Sequence, residues 1–140
     1  GIPDVKKGWA VVKAADCENA KLILDTWHWV RANQPVDISV LADVPADKVV
    51  SIQINDVWER PYATTILRDE SMHDRLAPGT GIGCTVAFVK MIREKGIEPN
   101  AIGVEVISDA NLEKGIEYAA KHTYENTKKV LEEAWPEVLN

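Results

Sequence analysis

The composition indicates a single domain. The chain has 140 residues, of which 46% are hydrophobic, and this is enough to bury one core of ordinary size. Its formal net charge is -6 and the basic residues are scattered, so the basic patch of a nucleic-acid-binding protein is missing. We therefore expect one compact domain and no nucleic-acid partner.

Cysteine usage and hydropathy bear on the cellular compartment. The two cysteines, Cys17 and Cys84, stand far apart without a Cys/His motif, so neither a disulfide framework nor a zinc knuckle is predicted. No apolar run approaches the roughly 20 residues that cross a bilayer, and the N-terminal residues lack the apolar core of a signal peptide. We expect a soluble, cytoplasmic protein with no membrane partner.

The first half of the chain predicts helices on either side of a strand. Val5, Trp9 and Val12 lie at helical spacing behind a proline, so a helix is predicted from about residue 3 to residue 15. The short apolar run "KLILD" is typical of a buried parallel strand. Helical segments are predicted at residues 27–33 and in "DISVLADV".

The second half repeats this alternation. "VVSIQIND" (residues 49–56) and "AIGVEVIS" (residues 101–108) predict two more buried strands. "CTVAFVKMIREKG" (residues 84–96) predicts a helix between them, and a long helix is predicted at residues 112–134. Strands that alternate with helices in this way indicate βαβ units, and hence an α/β fold with a parallel sheet over residues 1–140.

The segment at residues 57–83 differs from the other connections. It is too long, and too rich in charge, proline and glycine, to be an ordinary loop, and such segments in compact domains usually carry function. Gly79, Gly81 and Gly83 would let the backbone turn sharply beside a ligand. We expect this segment to cover the functional site.

Polar side chains stand at or near the carboxyl ends of the three predicted strands, where parallel α/β folds bind ligands. They are Asp25, Gln53 and Glu105, with Asn55 and Asp56 just after Gln53, and burial without a partner would cost each of them several kcal/mol. Asp56 better suits a helix cap or a turn. Two carboxylates and an amide oxygen are hard ligands suited to Mg2+, Mn2+ or a similar ion. The sequence therefore predicts a divalent metal site formed by these side chains.

Four other side chains are candidates for substrate binding. His28 follows Asp25 by three residues, and His73 and Arg75 would bring an acid/base group and a cation from the long segment. Trp27 would stack on a sugar ring. Structural roles compete with these: Asp25 also suits a helix cap, a loop histidine is as readily solvated as functional, and buried packing is the default for tryptophan.

Four segments, in this order, resemble the C-terminal half of a sugar phosphate isomerase/epimerase of the xylose isomerase-like TIM-barrel superfamily: "LILDTWHWVR", "VVSIQINDV", "DESMHDRLAPGTG" and "IGVEVIS". Members of that superfamily hold a divalent metal with a Glu, an Asp, a His and a second Glu. The resemblance implies that Asp25 is the Asp, that Glu105 is the final Glu, and that Gln53 replaces the His. It also implies that His28 and Arg75 bind substrate hydroxyls or phosphate.

Two departures from the superfamily pattern follow. Gln53 keeps an oxygen ligand but lowers the expected affinity for transition metals. The first metal-binding Glu of the pattern would lie before Gly1, and only three strands of an eight-stranded barrel are accounted for. We therefore expect the C-terminal part of a (β/α)8 TIM barrel, which needs an N-terminal half or a homo-oligomer to complete it.

The resemblance implies metal-dependent isomerisation or epimerisation of a sugar, sugar phosphate or polyol, with Glu105 and Asp25 as catalytic residues. Two alternatives remain, because a fold does not fix a reaction. One is a dehydratase that acts on a cyclic polyol or keto acid. The other is a half-barrel without catalysis that only assembles with a partner.

Overall fold

A parallel sheet organises the fold. The computed structural model describes residues 2, 4–59, 67–82 and 84–140. Within them, strands β1 (Leu22–Asp25), β2 (Val49–Ile54) and β3 (Ala101–Val104) form one sheet in the order β1-β2-β3. Both strand pairs are parallel. The predicted α/β fold with three parallel strands is therefore confirmed.

Helices lie before, between and after the strands. The α-helices are α1 (Val5–Ala15), α2 (Thr26–Arg31), α3 (Leu67–His73), α4 (Cys84–Glu94), α5 (Asp109–Leu112) and α6 (Ile116–Ala134), and short 3-10 helices span Ile38–Leu41, Ala46–Lys48 and Pro136–Leu139. Helix α1 is capped by Asp4, which accepts the Lys7 N–H at 2.8 Å, and its predicted start at residue 3 lies outside the described residues. No helix of the described residues is both long and apolar enough to span a membrane.

The third strand is shorter than the sequence predicts. It ends at Val104, so Glu105 follows the strand and does not lie within it. The residues after Glu105 leave the sheet and pair with the chain around Arg75, whose backbone N–H donates to the Ile107 carbonyl at 2.9 Å. This hydrogen bond belongs to an antiparallel bridge between Asp74 and Ser108. This pairing takes the place of a longer β3.

Three other predictions are corrected. The helix predicted at residues 112–134 is broken before Ile116 by Gly115, whose φ of 94° lies outside the helical region. The predicted loop at residues 57–83 contains helix α3, although residues 60–66 and 83 lie outside the described residues. In "DISVLADV" only Ile38–Leu41 is helical, and it forms a 3-10 turn.

The two faces of the sheet differ in chemistry. Ile52 and Ile54 of β2 are fully buried and belong to one apolar cluster with Phe88 and Ile92 of α4. Successive side chains of a strand point to opposite faces, so Gln53 lies on the other face. Burying each large apolar side chain contributes about 1.5–3 kcal/mol, so the helix-covered face holds the sheet in place.

The register of the sheet brings polar positions into one row. Asp25 pairs with Gln53, and Gln53 pairs with Gly103. Glu105 comes two residues after Gly103, and its N–H still donates to the Ile54 carbonyl at 3.3 Å. The side chain of Glu105 therefore leaves the sheet on the same face as Asp25 and Gln53.

Candidate functional site

One guanidinium group joins the carboxyl ends of β1 and β3. Arg75 Nη1 donates to Asp25 Oδ2 at 3.1 Å and to Glu105 Oε2 at 2.6 Å. The side chains of Arg75 and Asp25 are only 4% and 5% exposed, whereas that of Glu105 is 37% exposed. Water screens the first pair little, which strengthens its attraction. The structure thus brings three candidate residues together at the predicted edge of the sheet.

Asp25 serves as a helix cap and as a site residue at once. Its Oδ1 accepts the His28 N–H at 2.8 Å, which caps helix α2. Its Oδ2 accepts from Arg75 and also from Asn55 Nδ2 at 2.8 Å. The cap and the site were alternatives in the sequence, but the structure assigns one carboxylate oxygen to each.

Arg75 is held in place by helix α3 and a tryptophan ring. Its Nε donates to the Ser71 carbonyl at 2.9 Å, and its Nη2 donates to Ser71 Oγ at 2.8 Å. The ring of Trp27 lies 5.5 Å from the guanidinium carbon, within the range of a cation–π contact. The guanidinium is therefore oriented from three sides by groups of the protein itself.

Helix α3 is in turn anchored to helix α2 by a buried carboxylate. Glu70 is fully buried, and its Oε1 accepts from Trp27 Nε1 at 3.2 Å and from Arg31 Nε at 2.9 Å. Its other oxygen, Oε2, is buried and has no hydrogen-bond partner within the part of the chain that the structure describes. Because Glu70 and Ser71 are neighbours in the chain, this anchor also fixes the residue that orients Arg75.

Gln53 and His28 flank the carboxylate of Asp25. All three line a groove of about 500 Å³ that extends along β1 to helix α1. His28 is exposed, and its ring meets the edge of the Trp27 ring at a centroid distance of 4.9 Å. An amide, a carboxylate and an imidazole at one end of an open groove can bind a polar ligand.

Two candidate residues have other surroundings than the sequence suggests. Trp27 is 4% exposed and lies beneath Arg75, so its ring does not form a wall for a sugar. His73 is exposed, and its Nδ1 lies 3.0 Å from Asp109 Oδ2. It therefore pairs with Asp109 and not with the carboxylates of Asp25 and Glu105. The neighbouring Asp74 has a raised pKa, mainly because of burial and then because of the charge of Asp109.

Two residues of this network have roles that the sequence did not assign. Asn55 contacts Asp25 and the backbone of Glu105, and Ser71 orients Arg75. Asn55 was among the polar residues noted at the strand ends, since it comes two residues after Gln53 and thus faces the same way. For Ser71 no signal exists, because a serine within a charged segment has no distinctive pattern.

The donors present match a divalent ion only in part. Within the described ranges, no group of three or more His, Cys, Asp or Glu side chains is placed to hold a metal. The two carboxylates of Asp25 and Glu105 nevertheless converge on one positive group, and the amide of Gln53 lies beside Asp25 in the sheet. Carboxylate and amide oxygens are the ligands of hard divalent ions. Asp25, Glu105 and Gln53 could therefore supply part of the ligand set of such an ion.

This fold and site define a class of protein: a parallel α/β barrel segment with an acidic site at the carboxyl ends of its strands. The chain belongs to the xylose isomerase-like TIM barrel family, whose family model matches residues 1–126. This family includes sugar isomerases and epimerases. A search of curated proteins finds no significant match.

Solved structures share the fold. The crystal structure of IolI protein with a binding zinc atom has a TM-score of 0.78 and 20% identity, over 95% of this chain and 45% of that one. A xylose isomerase-like TIM barrel/4-hydroxyphenylpyruvate dioxygenase fusion protein has a TM-score of 0.69 and 23% identity, over 92% and 19%. A xylose isomerase domain protein from Alicyclobacillus acidocaldarius subsp. acidocaldarius has a TM-score of 0.68 and 25% identity, over 92% and 43%. The chain thus spans less than half the length of each.

Proposed function

We propose that this chain supplies part of the active site of a cytoplasmic enzyme that isomerises or epimerises a sugar, sugar phosphate or polyol with a divalent metal ion. One observation carries the proposal: Asp25 and Glu105, from two strands, converge on the Arg75 guanidinium at the carboxyl edge of a parallel sheet. Ligand sites of α/β barrels lie at this edge. The family of the chain includes sugar isomerases and epimerases, which supports the choice of reaction.

Asp25, Glu105 and Gln53 are the residues that would hold the metal. A divalent ion, when bound, polarises the substrate carbonyl and the adjacent hydroxyl. Arg75 contributes a positive charge at the same carboxylates, so it competes with the ion. We therefore expect the affinity for the ion to be moderate.

The two carboxylates divide the work of the site between them. Glu105 is the more exposed, with a side chain that is 37% exposed, and only its Oε2 is engaged by Arg75. It can take a proton from the carbon next to the carbonyl and return it. Asp25 is 5% exposed and accepts three hydrogen bonds, so it acts as a fixed charge and ligand.

The cationic and aromatic candidates have smaller roles in this proposal. His28 is exposed beside Asp25 and would bind a substrate hydroxyl. Arg75 is 4% exposed and donates to Asp25, Glu105 and Ser71, so it orients the two carboxylates, and it would reach a substrate oxygen only by leaving one of these partners. Trp27 supports Arg75 from below, and His73 would act only at the outer margin of the site, where it pairs with Asp109.

The rest of the barrel is proposed to come from an N-terminal half or a second copy of the chain. Ile23, which precedes Asp25 by two residues on the same face of β1, is 58% exposed. In a closed barrel, side chains from all strands fill the interior. Additional strands would cover this apolar side chain and complete the ligand set.

The proposal is tested with solvent deuterium exchange. The purified protein, stripped of metal and resupplied with Mn2+, is incubated in D2O with a panel of ketoses, their phosphates and keto derivatives of cyclic polyols. An isomerase or epimerase introduces deuterium at the carbon next to the carbonyl, which mass spectrometry detects. We expect exchange that depends on Mn2+.

A matched pair of variants assigns the exchange to the site. Glu105→Gln should lower the exchange rate at least 100-fold, as removal of a general base does. Glu98→Gln should leave it unchanged, because Glu98 is exposed and precedes β3 at the opposite end of the strand. Loss of water with an enone absorbance would instead indicate the dehydratase. Neither exchange nor interconversion of the sugars by the protein together with its barrel partner would contradict catalysis and favour a half-barrel that only assembles.

A further inference from the structure

We infer that Asn55 is a positioning residue of the proposed site, whose side-chain amide fixes Asp25 and Glu105 relative to each other. Asn55 is fully buried and follows the middle strand, β2. Its Nδ2 donates to Asp25 Oδ2 at 2.8 Å and to the Glu105 carbonyl at 3.3 Å. One amide nitrogen thus binds the chain at the ends of both neighbouring strands. The inference rests on the proposed function.

The backbone at Asn55 is held on both sides. Thr85 Oγ1, at the start of helix α4, donates to the backbone carbonyl of Asn55 at 2.6 Å. On the other side, the Glu105 N–H donates to the carbonyl of Ile54 at 3.3 Å. Asn55 therefore has little freedom to move away from its two partners, and it transmits the geometry of the sheet to the carboxylates.

Packing alone does not account for an asparagine at this position. Its Oδ1 is buried and has no hydrogen-bond partner among the described residues, and a buried acceptor without a donor destabilises a fold. An apolar side chain of similar size would fill the same space, but it would leave Asp25 Oδ2 and the Glu105 carbonyl without this donor. The donor half of the amide, which links the two strands, is what an apolar side chain lacks.

Residues that orient metal ligands change metal affinity when they are removed. Their loss typically lowers the affinity about 10–100-fold, although they do not touch the ion. Asn55 has this relation to Asp25, since it donates to the same oxygen that Arg75 contacts. Removal of Asn55 should therefore weaken cation binding and leave the fold intact.

The variant Asn55→Leu separates the positioning role from a structural one. Mn2+ binding is measured by calorimetry and stability by the thermal midpoint, Tm. We expect the dissociation constant for Mn2+ to rise about tenfold or more at a temperature well below Tm, where the variant is folded. We expect Tm itself to fall, because Asp25 Oδ2 and the Glu105 carbonyl each lose a donor. Asn55→Ser, which is too short to reach both partners, should weaken Mn2+ binding in the same way if Asn55→Leu does not fold.

Thr127→Val is the matched control. Thr127 lies on helix α6, is 9% exposed, and also carries a buried oxygen that has no partner in the described ranges. Its replacement removes an unpaired polar atom away from the sheet edge, so we expect the Mn2+ affinity to stay unchanged. Equal Mn2+ affinities for Asn55→Leu and Thr127→Val would overturn the inference.

A second measurement does not depend on metal binding. The guanidinium N–H groups of Arg75 are bound to Asp25 and Glu105, so they should give slowly exchanging signals in 15N–1H spectra. Asn55→Leu should broaden or shift these signals, and Thr127→Val should not. If the unmodified protein binds no Mn2+ but the signals respond in this way, the metal part of the proposed function fails and the role of Asn55 stands. Unchanged signals in Asn55→Leu would overturn that role whether or not Mn2+ binds.

Discussion

Removal of the guanidinium group at the centre of the site should destabilise the protein strongly. The variant Arg75→Met keeps most of the side-chain volume and removes the positive charge. It leaves the carboxylate of Asp25, whose side chain is 5% exposed, without its ion pair. The carboxylate of Glu105 loses its ion pair as well and is then hydrated by water. The Ser71 carbonyl and hydroxyl each lose a donor as well.

The size of the effect follows from the exposure of the two carboxylates. Breaking a buried ion pair by removing one partner costs about 3–5 kcal/mol. Glu105 is 37% exposed and is rehydrated in the variant, whereas Asp25 retains its bonds from His28 and Asn55. Both facts place the loss at the lower end of that range, so we expect the free energy of unfolding to fall by about 3 kcal/mol.

The measurement is urea-induced unfolding at pH 7, followed by tryptophan fluorescence. Arg93→Met is the control, because Arg93 forms an ion pair with Glu137 on the surface, where the side chains are 45% and 58% exposed. Such pairs contribute about 0–1 kcal/mol. Asp25→Asn combined with Arg75→Met tests the mechanism: the amide removes the uncompensated charge and keeps a carbonyl oxygen for the cap.

The double variant should lose less stability than the sum of the two single variants. For residues in direct contact, this coupling is about 0.5–3 kcal/mol. If Arg75→Met costs no more than Arg93→Met, the buried pair does not contribute as the geometry indicates. Strict additivity with Asp25→Asn would likewise refute the argument.

Three further outcomes are expected. Burial raises the pKa of Cys84 to about 12, so at pH 8 a thiol reagent should modify only the exposed Cys17 in the native protein. It should modify both cysteines after denaturation. Rapid labelling of both cysteines in the native protein would contradict this expectation. Gly81→Ala should lower the free energy of unfolding by more than about 1 kcal/mol in urea titrations, because the added Cβ would lie 2.1 Å from the Val57 carbonyl oxygen. A stability like that of the unmodified protein would show that the backbone shifts easily at this position. Burial and nearby negative charge raise the pKa of Asp74, so the ionised carboxylate destabilises the folded state above that pKa. Asp74→Asn should therefore increase stability at pH 7 and lose this advantage well below pH 3.8. A gain in stability that persists at low pH would point to another cause.

Much of the fold was predictable because its signals are local. The runs "KLILD" and "VVSIQIND" are short and apolar, and such runs identify buried strands without knowledge of their partners. The alternation of strands and helices then predicts a parallel sheet. The end of β3 was not predictable, since Val106 and Ile107 favour a strand as much as Val104 does. Their pairing with the segment around Arg75 decides the matter.

The sequence by itself determined which polar residues stand at the carboxyl ends of the strands. Asp25, Gln53 and Glu105 follow apolar runs, and parallel strands present these ends at one edge. Only the tertiary structure decided what lies between the carboxylates. Arg75 is 50 residues from Asp25 and 30 from Glu105 along the chain. No periodicity reports such a contact, because the attraction between charges depends on their distance in space, which the sheet register and helix α3 set.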